Sequence, residues 1–177
     1  MNLIRHSDEV YVVADPIATI GQAEVAFLKS AVAASPRGRV RINAHPGPAD
    51  GLHEMFIAIK PDSYIRPHKH PGKSEAFHLV YGTVDVVVFD DVGELTEIVN
   101  LSADPGKGAF YYRMSQARFH TLNIRSDLLI VHEITNGPFK PAETVQAPFA
   151  PDEQDLDAAA AYRDALAGRV GNVAPAA

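Results

Sequence analysis

The chain of 177 residues contains no cysteine. Disulfides and thiolate ligands are therefore excluded, and histidine and carboxylate remain as the side chains able to hold a metal. A cysteine-free chain fits a cytoplasmic location, which is the compartment expected. Positive charge is also scarce: 16 Lys and Arg stand against 22 Asp and Glu, a net charge of −6. Binding a phosphate backbone needs a basic face, so nucleic acid is not an expected partner. Long hydrophobic runs are missing too. No stretch approaches the ~20 apolar residues of a membrane span. Residues 1–9 lack a long apolar core, so neither a signal peptide nor a membrane partner is expected. No lipidation motif or long repeat is visible.

What is present is enough apolar material for a core. Hydrophobic residues make up 46 % and charged residues only 21 %, the balance of a folded domain rather than a disordered chain. Against this background one stretch stands out, residues 64–82. His68 and His70 are one residue apart, so a strand projects both from one face. Pro71-Gly72 turns the chain, and Glu75 opens the next strand, where it can come back opposite the histidines. Two imidazoles and a carboxylate from two adjacent strands would hold a divalent ion rigidly.

The rest of the chain reads as strands joined by short turns. Val10 to Ala14 is a short strand. Thr19 and Gln22 have capping-box spacing, which predicts a helix from about Ile20 to Ala34. From Arg39 the period becomes two: Arg41, Asn43 and His45 share a polar face, either half-exposed or lining a wet cavity. Leu52 to Lys60, Thr83 to Phe89, Glu94 to Leu101, Ala109 to Met114, Phe119 to Ile124 and Asp127 to Ile134 read as further strands. Asp152 to Ala167 reads as a helix packed on the outside, ended by Gly168, with a frayed tail over 172–177. The expected fold is all-β, a small barrel with flanking N- and C-terminal helices. Its divisions fall at 1–38 (strand and helix extension), 39–151 (barrel) and 152–177 (helix and tail). Open strand edges predict a homodimer.

His68, His70, Glu75 and Gly82 match the spacing H-x-H-x4-E-x6-G, and in this the chain resembles the cupin family. It is similar more narrowly to the WbuC-type cupin fold metalloproteins over roughly Ser35 to Pro151. That likeness is carried by Arg41-Ile42-Asn43-Ala44-His45, His53-Glu54-Met55, residues 63–70, Lys73-Ser74-Glu75, Phe110-Tyr111-Tyr112-Arg113, His132-Glu133 and Thr135-Asn136-Gly137-Pro138-Phe139. The resemblance implies a jelly-roll barrel. It also implies one divalent transition metal ion per chain (Fe, Mn, Ni, Co or Zn) and an association with O-antigen or other surface polysaccharide synthesis. It points to His120 as the fourth ligand, in the position of the second cupin signature. There Ser115 and Ala117 stand where the pattern has Pro and Gly, and the usual Asn falls one residue out, at Asn123.

Three imidazoles and a carboxylate leave open positions on an octahedral ion, the mark of a catalytic site. The expected function is a metal-dependent isomerase or oxygenase acting on a small anionic or sugar-like substrate. The rival is a non-catalytic, regulatory metal- or ligand-binding module. Arg66 and Arg113 are candidate anion-binding residues, whereas Lys69 and Lys73 read as solvated. Tyr64, Tyr111 and Tyr112 either contact a sugar or pack the barrel. Glu54 and Glu133 are candidate general acid–base groups. His78 is expected to point away from the site as a wall residue, His132 reads as a satisfied core or rim histidine, and His45 and His53 could line the cavity.

Overall fold

A computed structural model describes residues 1–172. The strands, in chain order, are β1 (Leu3–Arg5), β2 (Val10–Val13), β3 (Arg39–Asn43), β4 (Leu52–Ile59), β5 (His68–Lys69), β6 (Glu75–Tyr81), β7 (Thr83–Phe89), β8 (Leu95–Ser102), β9 (Tyr111–Met114), β10 (Phe119–Ile124), β11 (Leu129–Asn136) and β12 (Val145–Gln146). Helix α1 (Gln22–Ala33) lies between β2 and β3, and α2 (Leu156–Gly171) follows β12.

These strands form two sheets, one of seven strands in the order β1-β2-β3-β4-β11-β6-β9 and one of five in the order β12-β5-β10-β7-β8. Pairing is antiparallel throughout except between β2 and β3. The two inner faces meet on Phe77, Leu79, Val84, Val86, Leu129 and Val131. The architecture is a jelly roll built as two facing sheets. Among the described residues the ladders do not close it into one continuous barrel, so the expected barrel is corrected to a flattened one.

Strand β7 shows why the apolar pattern looks continuous. Val84, Val86 and Val88 enter the core between the sheets. Val87 and Phe89 face the other way, against Leu166 and Val170 of α2. Both faces are covered, so alternation disappears. The polar exception is Asp85, 1 % exposed. Its carboxylate accepts from Asn100 at 2.6 Å and Asn123 at 3.0 Å and pairs with Arg125 at 2.9 Å.

Both helices differ from expectation at their ends. α1 starts after Gly21, not Thr19, because Glu24 reaches back to accept the Gly21 N–H at 2.9 Å. Its Leu28 and Val32 cover Val40, Ile42, Ala58 and Ile130 on the outer face of the larger sheet. α2 starts after Asp155, whose carboxylate accepts from the Ala158 N–H at 3.1 Å, and runs through Gly168 to Gly171. Val170 is buried under the smaller sheet, and that apolar contact carries the helix past the glycine. Of the tail read as frayed, 173–177 lie outside the described residues. The motif strand is cut to two residues because Pro67 and Pro71 bracket it and neither can donate to a ladder.

Gly82 turns the chain from β6 in one sheet to β7 in the other, at φ +89°. A Cβ there would collide with the Leu128 carbonyl oxygen and the Ser126 hydroxyl. Gly82→Ala is therefore expected to cost about 2 kcal/mol or more, combining backbone strain with a clash against backbone. Urea unfolding reads this directly, and an unchanged midpoint would show that the corner relaxes freely.

Candidate metal centre

His68 lies on β5 and His120 on β10, and the two are direct cross-strand partners. His70 follows β5 at once. Glu75, however, begins β6 in the other sheet. The expectation of ligands from adjacent strands is thus corrected: the carboxylate meets the imidazoles across the sandwich. The four side chains each offer a ligand atom, and these atoms all lie within 4.8 Å of one another. The group could hold a metal ion.

The histidines are oriented from behind. The Nδ1 atoms of His68 and His120 each sit 2.9 Å from a carbonyl oxygen two residues upstream, of Arg66 and Arg118. A carbonyl only accepts, so each Nδ1 carries the hydrogen and each Nε2 presents a lone pair inward. The Nδ1 of His70 faces the Thr144 hydroxyl at 3.3 Å. Such backing fixes ring and tautomer in metal sites.

The consequence is an electrostatic conflict. Glu75 Oε1 lies 3.2 Å from His120 Nε2, and its Oε2 lies 3.4 Å from His70 Nε2. At a neutral His120 an acceptor faces an acceptor, and a cation relieves the clash. A proton is one solution. Burial opposes a charged His120, yet the Glu75 carboxylate raises its pKa above the usual imidazole range. Burial likewise opposes a charged Glu75, but His120 holds it well below the usual carboxylate range. A divalent ion is the other solution, and it satisfies all four donors at once. His68 is already prepared for it: burial, and then the charge on His120, lower its pKa to about 4, so its lone pair is free at neutral pH. Tyr112 donates to Glu75 Oε1 at 2.7 Å and fixes the carboxylate.

His68, Glu75, His120 and Glu133 all line a cavity of about 510 Å3. Glu133 is wetted by the cavity but enclosed by protein. Burial, and then the Glu75 charge, push its pKa up to about 8, with Arg41 and His120 drawing it partly back.

The remaining candidates lie elsewhere. Glu54 is on the outer face of the larger sheet, where it approaches His132 at 3.5 Å, and it does not line the cavity. The Tyr64 hydroxyl donates to the Pro151 carbonyl at 3.0 Å, and its ring packs edge-on to Tyr162. Arg66 pairs with Asp152 at 3.0 Å and donates to the Ala147 carbonyl at 3.0 Å, so it ties down the segment before α2. Arg113 bridges the Ser74 and Ser115 hydroxyls at 2.9 and 2.6 Å. Lys69 and Lys73, read as solvated, are paired with Asp91 and Glu143 at 2.6 and 3.2 Å. His78 is exposed on the outer face, and its cross-strand partner His132 stacks on Phe56 there. His45 and His53 stack on each other 4.2 Å apart, outside the cavity.

Two features escaped the sequence reading of the site. Thr144 is 74 residues from the histidine it backs, and no local pattern links them. Arg41 lines the cavity; the polar face of β3 was the signal for it.

Comparison with known proteins agrees on the architecture. A family described as a domain of unknown function, DUF6016, matches residues 20–101. No curated protein matches. Among solved structures, protein SO0799 from Shewanella oneidensis superposes with a TM-score of 0.50 at 12 % identity, covering 70 % of this chain and 76 % of that one. Capsular polysaccharide assembling protein CapF from Staphylococcus aureus superposes with a TM-score of 0.51 at 18 % identity, covering 63 % of this chain. The match spans only 30 % of the CapF chain. The class is thereby set at the level of fold: a jelly roll of two facing sheets, shared with these two proteins. More particularly, it carries a three-histidine, one-glutamate cluster able to hold a metal. No described helix is long and apolar enough to cross a membrane.

Glu133 makes the metal-free protein sensitive to pH. Its folded pKa of about 8 lies above the ordinary 4.5, so the fold favours the protonated form. That contribution is full below about pH 4.5 and is lost as the pH rises toward about 8. Glu133→Gln keeps a neutral side chain at every pH. The melting temperature of the metal-free wild type, relative to this variant, is expected to fall between about pH 5 and pH 8. Parallel curves would show that Glu133 titrates normally.

Proposed function

We propose that the protein binds one divalent transition metal ion per chain and is a metal-dependent enzyme of isomerase or oxygenase type. Its substrate is a small, anionic, sugar-derived molecule. One observation carries the reading: His68, His70, Glu75 and His120 converge, and three of them, His68, Glu75 and His120, line a cavity large enough for a sugar-sized ligand. The Nε2 atoms and the Glu75 carboxylate would hold the ion, with Tyr112, Thr144 and two carbonyls holding the ligands. When bound, the metal supplies Lewis acidity or, if redox-active, electron transfer. The chain's own contribution is geometric and acid–base. The sheets bury Glu75 and His120, and Glu133 can hold or release a proton at its carboxylate near neutral pH.

The link to surface polysaccharide rests on the resemblance to WbuC-type cupins. Beside it stands the name of CapF, a capsular polysaccharide assembling protein of the same fold. Homodimer formation through the exposed edges of β1 or β9 completes the proposal; light scattering showing a monomer at working concentration would remove it.

Elemental analysis of protein purified without chelator or affinity metal is expected to find roughly one ion per chain. His70→Ala and His120→Ala should each weaken metal binding by more than ~10-fold, and full occupancy in either would overturn the ligand assignment. The enzyme reading is tested with the metal-loaded protein and a panel of sugar phosphates and sugar acids. Isomerisation by NMR or oxygen uptake, lost in His120→Ala, would support it. Metal bound without any conversion would favour a binding module.

A further inference from the structure

The cavity has a second chemical pole. Strand β3 alternates: Val40 and Ile42 pack beneath α1, so Arg39 and Arg41 face the opposite side, toward the cavity they line. Arg37 lines it as well. Two of these three arginines are already neutralised. Arg37 pairs with Glu9 at 3.1 Å and with Glu153 at 2.6 Å. Arg39 pairs with the same Glu153 oxygen at 2.6 Å.

Arg41 differs. Among the described residues no carboxylate lies within ion-pair distance of it, and its guanidinium makes no hydrogen bond to the chain. Glu133, in the same cavity wall, is near enough to feel its charge but too far to pair. An arginine offers five donors in a planar fork that matches a carboxylate or phosphate. Arg41 is exposed, and its fork is left open at a cavity that His68, Glu75 and His120 also line. Arg66, Arg113 and Arg118, by contrast, are all engaged.

We propose that Arg41 is the anion anchor of this cavity, gripping a carboxylate or phosphate while the other end of the same ligand reaches the metal centre. The proposal deepens the enzyme reading above and rests on it for the second pole only. The ligand class is a small molecule with an anionic head at one end and hydroxyl or carbonyl oxygens at the other. A neutral sugar would leave Arg41 unpaired. The shared chemistry of carboxylate and phosphate is bidentate acceptance from guanidinium, and the test separates the two.

The test is titration calorimetry at fixed ionic strength on the protein as purified, with malonate, inorganic phosphate and, as a neutral control, glucose. The wild type is expected to bind at least one anion, and the tighter of the two identifies the head group. Arg41→Gln should weaken that binding at least ~10-fold, the loss of one charged, bidentate contact. Arg41→Lys should fall between, keeping charge without the fork. Glucose binding should not change. Undiminished anion binding by Arg41→Gln, or no binding of either anion by the wild type, would overturn the proposal. Metal content measured on the same preparations keeps the two readings apart. Metal-free wild type that still loses its anion on Arg41→Gln would sustain the anchor while removing the metal centre. One ion per chain with no anion binding would do the reverse.

Discussion

The site depends on one electrostatic constraint: the imidazoles of His70 and His120 face the two oxygens of the buried Glu75 carboxylate. The backbone carbonyl behind His120 claims its Nδ1 hydrogen, so a neutral His120 turns a lone pair rather than a donor toward Glu75. The arrangement is costly unless a cation lies at its centre. A single proton neutralises only one contact. A metal ion answers three imidazoles and a carboxylate together, which is why the cluster reads as a metal centre rather than as a buried ion pair.

The jelly roll supplies that constraint through its two-sheet construction. His68, His70 and His120 belong to the smaller sheet or its margin, and Glu75 to the larger. Gly82 makes the corner that lets the chain pass from Glu75's sheet to the other within one motif. Packing of Phe77, Val84, Val86 and Val131 between the sheets then sets the spacing at which carboxylate and imidazoles meet. α2 serves the site at a distance. Glu153, Asp152 and Pro151, just before it, bind Arg37, Arg39, Arg66 and Tyr64. This clamp fixes the residues leading into His68 and also decides which arginines remain free.

The cavity is therefore chemically divided. Its lining offers the lone pairs and carboxylate of the cluster, the Glu133 carboxyl and, at Arg41, a guanidinium with no partner among the described residues. Enclosure raises the Glu133 pKa to about 8, so this carboxyl can carry a proton where an exposed one would not. A ligand spanning the two poles would need an anionic head and an oxygen-rich tail, which is consistent with a sugar-derived acid or phosphate.

Much of this was legible in the linear chain. The offsets among His68, His70 and Glu75 marked three of the four residues that converge, because a strand's period of two and a tight turn are local properties. Strand spacing and turn residues gave the all-β class for the same reason. The helix ends were less legible: Glu24 capped a position that Thr19 could also have capped, and Val170 carried α2 past Gly168 through a contact made only in the folded state. Arg66 and Arg113 looked like anion-binding residues by proximity in sequence, yet Asp152, Ser74 and Ser115 engage them. Arg41 carried only the hint of a polar face. The sequence by itself determined which residues could bind a metal and that the chain would fold as paired strands. The tertiary structure alone decided that Glu75 meets the histidines across two sheets, and that Arg41 rather than its neighbours stays unpaired. The physical reason is that ion pairs and facing sheets join residues up to 116 positions apart, whereas periodicity reports only which side of its own strand a residue occupies.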